Sequence, residues 1–171
     1  MKYVSLDLET TGLNPDTCQV LEIAAILEDT TRGDRPLEDL PSFHAVIHWP
    51  YLQGESFALR MNWPIVLEAA DHGREAAEVW HEFELWLSLY GVDKSTRGVL
   101  AGKNVAGFDR RFLPMAVSER FHHRTIDPGS VLIDWDKETP PSLGELTGRA
   151  VTHRAMEDAR DVVRVLRELY A

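Results

Sequence analysis

Two acidic residues, Asp7 and Glu9, form the first pattern in the sequence that could carry out chemistry. They lie two positions apart in the segment 3–9, in which apolar residues occupy the alternate positions. Side chains at i and i+2 of a strand project to the same face, so both carboxylates can reach one cation. Two acids on one side of a central strand are costly unless a metal or a partner compensates them, although an isolated pair could also be a solvated strand face.

Two further acids and a histidine follow in two later segments. Asp109 ends a Gly-containing segment that follows the apolar stretch 98–102, and His153 and Asp158 lie at the start of the last predicted helix. Each has a simpler interpretation, because an acid in the first turn of a helix favours that terminus and a lone histidine is usually a surface or core residue. The order of the three segments, each at the edge of a predicted element, favours one shared site.

Together, the five residues predict hydrolysis of a phosphodiester with the help of two metal ions. Two cations roughly 3.5–4 Å apart need several carboxylates and open positions for water and phosphate oxygens. A base must also take a proton from the attacking water, and the ordinary histidine pKa of about 6.5 suits this role. We therefore expect four acids to hold two divalent cations, Mg²⁺ or Mn²⁺, with His153 as general base. The four acids are Asp7, Glu9, Asp109 and Asp158.

The hydrophobic pattern predicts the elements that position these residues. Strands are expected over 3–9, 18–28, 43–49 and 98–102, and extended structure over 125–134. Helices are expected over 64–90, from about Phe108 until Pro114 interrupts the helix, over 140–148 and over 155–170. This order predicts an α/β fold with a mixed sheet, in which the first three strands form an antiparallel meander. At 171 residues, a single domain over 1–171 is expected.

The composition limits the classes of function. A net charge of −10 argues against a broad nucleic-acid-binding face, which would normally be basic. A metal ion can nevertheless neutralise a carboxylate cluster and bind phosphate itself, so an acidic protein of this kind should grip a few nucleotides at a strand end. Cys18 is the single cysteine, which excludes an intrachain disulfide. Without a long apolar run or a leader segment, the sequence predicts a cytoplasmic protein with no membrane partner.

Three segments resemble the exonuclease motifs of the DEDDh proofreading-type 3′→5′ exonucleases. They are 7–13 (DLETTGL), 104–109 (NVAGFD) and 153–158 (HRAMED), and the spacing H-x4-D is typical of the histidine subfamily. The resemblance implies a ribonuclease H-like fold with helices on both faces of the sheet. It also implies that Asp7, Glu9 and Asp158 ligate one metal ion. Asp7 and Asp109 would then reach the second ion, and His153 would deprotonate the nucleophilic water.

The resemblance also implies which residues contact the end of a nucleic-acid strand. Three of them would place backbone N–H groups beside the metal site: Thr10, Thr11 and Gly12. In relatives the leucine that matches Leu13 wedges against the terminal base. Asn104 and Phe108 would seat the terminal nucleoside, since aromatic faces stack on any base. Leu13 and Phe108 could instead be core residues.

Other segments are similar to oligoribonucleases, which degrade RNA of a few nucleotides. They are 109–113 (DRRFL), 121–124 (FHHR) and 152–158 (THRAMED). Oligoribonucleases are dimers that borrow a tyrosine from the neighbouring subunit, and His123 stands where that tyrosine would be. His123 is therefore a further expected substrate contact and a homodimer one expected state, although the His122–His123 pair could also be a solvated loop.

Two features of the sequence differ from the oligoribonuclease pattern. The first motif reads ETTGL, as in proofreading exonucleases, where oligoribonucleases have EMTGL, and the insertion 50–63 matches neither branch. We therefore expect hydrolysis from the 3′ end of single-stranded nucleic acid, either short RNA or DNA, with release of nucleoside 5′-monophosphates.

Two other functions are open for this sequence. An endonuclease on the same fold that cuts RNA–DNA hybrids is disfavoured, because such enzymes usually lack H-x4-D and need a basic surface for the duplex. An inactive nucleic-acid-binding module is disfavoured because all five catalytic-type residues are present.

Overall fold

The computed structural model describes residues 1–32, 35–150 and 152–170 and has one six-stranded sheet, in the order β4-β3-β2-β1-β5-β6. The strands are β1 (Lys2–Thr10), β2 (Val20–Asp29), β3 (Ser42–His48), β4 (Arg74–Glu75), β5 (Gly98–Ala101) and β6 (Phe121–Ile126). The α-helices are α1 (Ser56–Met61), α2 (Trp63–His72), α3 (Ala76–Leu89), α4 (Asp109–Phe112), α5 (Met115–Ser118), α6 (Pro128–Val131), α7 (Leu143–Thr147) and α8 (Ala155–Arg167). Two single-turn 3₁₀ helices, Thr30–Arg32 and Leu37–Asp39, follow β2.

The strand β1 lies at the centre of the sheet, as its alternating pattern predicts. It pairs antiparallel with β2, which pairs antiparallel with β3, and it pairs parallel with β5. β5 pairs parallel with β6. The predicted meander and mixed sheet are therefore confirmed.

Helices cover both faces of the sheet. Val4, Leu6 and Leu8 of β1 pack into one cluster with the apolar stripe of α3, whereas Tyr3 lies in a second cluster with α8. The helix α8 approaches the sheet closely because Ala155 and Ala159, both fully buried, present only methyl groups to it. The hydroxyl of Ser5 donates to the carbonyl of Ala159 at 2.8 Å and ties α8 to β1.

Two predictions of secondary structure were wrong. Only the first two residues of the segment 125–134 are extended, since β6 ends at Ile126 and α6 begins at Pro128. Asp127 caps α6 by accepting a hydrogen bond from the Gly129 N–H at 2.8 Å, and proline is well suited to a first helical turn. The helical pattern over 64–90 is divided into α2 and α3 by the two-residue strand β4. None of the helices in the described ranges is long and apolar enough to cross a bilayer.

Candidate active site

Three of the predicted carboxylates lie together at the C-terminal end of β1. Asp7 and Glu9 share one face of the strand, and Asp158 lies in the first turn of α8, which packs on that face. One carboxylate oxygen from each residue lies within 4.8 Å of the others. A group of hard oxygen donors at this spacing is suited to a divalent cation.

The fourth acid, Asp109, approaches from the other side of β1. The strand β5 pairs with β1 only as far as Ser5, so the end of β1 has no neighbouring strand on that side. Asp109, at the start of α4 and 2% exposed, accepts a hydrogen bond from the Leu8 N–H there at 2.9 Å. Burial raises the pKa of Asp7, and the nearby charge of Asp109 raises it further.

Burial raises the pKa of all four acids, and repulsion from neighbouring carboxylates raises those of Asp7, Glu9 and Asp158 further. The pKa of Asp7 lies well above its ordinary value. Burial raises the pKa of Glu9 to about 7, against a hydrogen bond from Asn62 that lowers it. Burial raises the pKa of Asp109 to about 7 and that of Asp158 to about 6. The site therefore retains protons near neutral pH unless a cation replaces them, as expected of a site built for metal.

These raised pKa values predict that the metal-free protein loses stability as the pH rises. Glu9 and Asp158 bind protons more tightly in the folded chain than in the unfolded chain, where such groups titrate at about 4. By linkage, the stability they contribute is complete below about pH 4 and is lost as the pH rises through 6 and 7. In EDTA we expect a lower melting temperature near pH 8 than near pH 5.5, and added Mg²⁺ should raise it most at the higher pH.

Thermal melting across this pH range would check the expectation, with Glu9→Gln as the matched control. The glutamine cannot titrate, so its melting temperature in EDTA should depend less on pH. A melting temperature in EDTA that increases steadily towards pH 8 would contradict the assignment of these carboxylates.

His153 lies outside the three-residue cluster, on the turn that leads into α8. Its side chain is exposed, and its backbone is left-handed, with φ at 51°. A left-handed histidine is uncommon and persists where the surrounding structure holds it. His153 lies near enough to Asp158 for a positive charge on its imidazole to oppose the effect of burial on the pKa of that acid.

An apolar cavity of about 200 Å³ opens beside Glu9. Its walls include Leu13, which is 68% exposed, and Phe108, which is half-buried and packs at a tilt against Phe112 with ring centroids 5.2 Å apart. Neither residue is in the core, so the alternative interpretation of both is wrong. Thr10 and Gly12 also line the cavity.

The insertion 50–63, whose role the sequence did not indicate, forms the opposite wall of this cavity through Phe57 and Met61. Hydrogen bonds fasten it to the loop after β1. The Glu55 N–H donates to the Thr11 carbonyl at 2.7 Å, and the Glu55 carboxylate accepts from the Leu13 N–H at 2.9 Å. Asn62 donates from its side-chain amide to the carbonyl of Thr10 at 3.0 Å.

Three of the expected substrate-binding residues lie elsewhere. Thr11 is fully buried, and its N–H donates to the carbonyl of Gln19 at 2.9 Å, so that group is engaged within the protein. Asn104 is exposed in a left-handed turn, where its N–H donates to Asp127 at 3.0 Å. His123 is exposed on β6 and lines a separate cleft.

Comparison with known proteins identifies the family. The family model RNase_T, described as exonuclease, matches residues 4–166. The chain belongs to this exonuclease family. The predicted resemblance to the DEDDh 3′→5′ exonucleases and the predicted exonuclease activity are therefore confirmed.

Individual relatives of this exonuclease support the same conclusion. An oligoribonuclease of Pectobacterium atrosepticum is 29% identical over 165 residues, which cover 91% of this chain and 87% of the relative. The oligoribonuclease of Escherichia coli K12 is 28% identical over 166 residues, covering 92% and 87%. E. coli exonuclease I in complex with a dA16 oligonucleotide shares the fold, with a TM-score of 0.70 and 20% identity over 97% of this chain. The match spans only 40% of the length of E. coli exonuclease I.

A buried carboxylate that the sequence analysis missed anchors α8 beside the site. Glu22 lies on β2 directly opposite Glu9 and is fully buried. Its carboxylate lies 2.7 Å from His44 Nε2 and accepts from Arg154 at 3.1 and 3.2 Å and from the Ala155 N–H at 3.2 Å. These contacts fix the residue that follows His153 and the first turn of α8. The one indication of this buried carboxylate in the sequence was an acid inside the otherwise apolar run VLEIAAIL.

Proposed function

We propose that this exonuclease removes nucleotides from the 3′ end of short single-stranded RNA by a two-metal mechanism and releases nucleoside 5′-monophosphates. The observation that carries the proposal is the position of the acidic cluster directly beside an apolar cavity that fits a terminal base. A cluster that holds cations at the edge of such a cavity can act on the phosphate next to the base.

Four carboxylates would hold the cations. Asp7, Glu9 and Asp158 would hold one Mg²⁺ or Mn²⁺, and Asp7 and Asp109 would hold the second. When bound, the two cations neutralise charge on the phosphate and lower the pKa of water. His153 accepts a proton from the water as its oxygen attacks phosphorus, and the bond from phosphorus to the 3′ oxygen of the preceding nucleotide breaks. The departing 3′ oxygen then takes a proton from solvent water, and His153 returns its proton to solvent.

The cavity would orient the terminal nucleoside. Leu13 and Phe108 provide apolar and aromatic surface for the base, and Phe57 from the insertion faces them. Base stacking on such surfaces is worth about 1–3 kcal/mol and does not distinguish sequences, as a degradative exonuclease requires.

Short RNA is the favoured substrate because both named relatives are oligoribonucleases that align over nine-tenths of this chain. Single-stranded DNA is the second candidate. It is favoured by Thr10, which stands in the first motif where oligoribonucleases have methionine, and by the fold shared with a single-strand DNA complex of exonuclease I. Dimerisation stays a prediction, which light scattering tests against the chain mass of 19.4 kDa.

Initial rates on labelled RNA and DNA oligomers of 2 to 24 nucleotides would test this function. At saturating substrate we expect RNA of two to five nucleotides to be cut fastest, with successive loss of nucleotides from the 3′ end. A 3′-phosphate should block the reaction, because the terminal 3′ hydroxyl is expected to lie beside the metal site and a phosphate there would prevent the strand end from binding. Equal rates for all lengths of DNA would favour the second candidate, and internal cleavage of blocked substrates would contradict an exonuclease.

A further inference from the structure

Cations are concentrated in a cleft at the N-terminal end of the edge strand β6. This basic cleft has a volume of about 440 Å³ and is lined by Lys94, Arg97, Arg110, Glu119, Phe121 and His123. Phe121 pairs with Gly98 at the start of β5, whereas the acidic cluster lies beyond the end of β5. The basic cleft is therefore distinct from the cavity beside Glu9.

The positive charge of the basic cleft is largely uncompensated. Glu119, its one acid, already pairs with Lys94 at 2.6 Å. Arg110 donates only to uncharged oxygens, among them the carbonyl of His122 at 2.6 Å, so its guanidinium charge is not neutralised. Among the residues that the structure describes, Arg97 has no carboxylate within ion-pair distance. In a chain of net charge −10, such a concentration of cations indicates an anionic ligand.

The backbone around the basic cleft is built to hold these side chains in place. The Asp93 carboxylate accepts hydrogen bonds from the N–H groups of Ser95 and Thr96, at 2.7 and 2.9 Å, and so closes a tight turn that carries Lys94. The next residue, Arg97, has a left-handed backbone with φ at 44°. A non-glycine residue in this region stores strain, which is typical of functional segments.

The strand β6 contributes to the same arrangement. Gly98 pairs with Phe121 but Leu100 pairs with Thr125, so two positions of β5 correspond to four of β6. This bulge lies on an edge strand, where bulges redirect side chains and prevent pairing with another sheet. It leaves His123 exposed to the cleft rather than packed in the sheet.

Arg110 connects the basic cleft to the active site. It follows Asp109 directly in α4, and its side chain reaches the carbonyls of Phe121 and His122 on β6. The cleft therefore lies about one arginine side chain away from the start of the helix that carries Asp109. A strand whose 3′ end is bound beside Glu9 can continue along α4 towards it.

We propose that the basic cleft binds backbone phosphates of the nucleic-acid strand on the 5′ side of the cleavage site. This inference rests on the proposed function. Oligomers long enough to reach the cleft gain affinity from Lys94 and Arg97, whereas the shortest oligomers are held by the active-site cavity alone. The cleft thus allows the enzyme to retain longer strands, and the affinity it adds depends on salt.

The double substitution Lys94→Gln with Arg97→Asn tests this proposal, since asparagine tolerates the left-handed backbone of residue 97. For a 12-nucleotide substrate we expect KM to rise about tenfold in 50 mM salt with kcat unchanged. For a trinucleotide the change should stay below about twofold. Each phosphate contact contributes about 0.7 to the log–log salt slope of a single strand. Because two contacts are lost, the ratio of the variant KM to the wild-type KM for the 12-mer should fall about sevenfold between 50 and 200 mM salt.

The matched control is Lys137→Gln with Arg149→Gln, which removes the same charge from another exposed surface. Equal losses in both double variants would show a general electrostatic effect and overturn the proposal. So would an unchanged 12-mer KM, or equal losses for the trimer and the 12-mer. Lys94→Gln alone should show about half of the change in log KM for the 12-mer. This single variant tests the proposal if the double variant is unstable. Failure of the wild type to cut any oligomer would instead contradict the proposed function.

Discussion

Replacement of Asp7 by asparagine is expected to reduce hydrolysis by at least about 10³-fold, because metal ions supply several kcal/mol of transition-state stabilisation. Asp7 is the acid that both proposed cations share. It lies within 4.8 Å of Glu9 and Asp158 and within electrostatic reach of Asp109. EDTA should have the same effect on the wild type. Initial rates at saturating Mg²⁺ and calorimetric titration of Mg²⁺ would measure both losses.

The control for Asp7 is Glu157→Gln. This substitution removes the same charge beside Asp158 on α8. The Glu157 carboxylate, however, pairs with Arg160 at 2.5 Å and is not part of the metal cluster. We expect its rate and metal affinity to stay within about twofold of the wild type, as for most exposed ion pairs. Full activity of Asp7→Asn, or of the wild type in EDTA, would rule out metal-dependent hydrolysis by this cluster.

The acidic site could be predicted because its information is local. The i, i+2 spacing of Asp7 and Glu9 needs only the period of a strand, and the alternation around them places the strand at the centre of the sheet. Asp109 and Asp158 each lie in the first turn of a helix, which sequence patterns also indicate. Their convergence followed from the order of the segments and from the family resemblance.

The parts that could not be predicted depend on contacts distant in sequence. Glu22 is satisfied by Arg154, which is 132 residues away, so nothing near it in the chain explains its burial. The insertion 50–63 becomes a wall of the cavity only through its hydrogen bonds to Thr11 and Leu13. At 125–134 the apolar composition favoured a strand, but the cap formed by Asp127 ended it early.

His153 carries the second large prediction. His153 is the proposed general base, so His153→Ala should lower kcat by about 10²–10⁴-fold, the usual loss for such a group. KM and Mg²⁺ affinity should change little, because the exposed imidazole lies outside the cluster of Asp7, Glu9 and Asp158. The pH dependence of kcat should also change, since hydroxide can replace the lost base and the variant should become faster as the pH increases.

Replacement by glutamine distinguishes a base from a residue that only shapes the turn. His153→Gln keeps a polar side chain on the left-handed backbone but cannot accept the proton, so a general base predicts a loss as large as for alanine. If the residue only positioned α8, glutamine would restore most of the rate and both variants would lose metal affinity. His81→Ala, on the exposed surface of α3, removes an imidazole away from the site and should leave kcat unchanged. Proton transfer and helix anchoring are thus separable here, because Glu22 holds α8 through Arg154 and Ala155 and not through the imidazole.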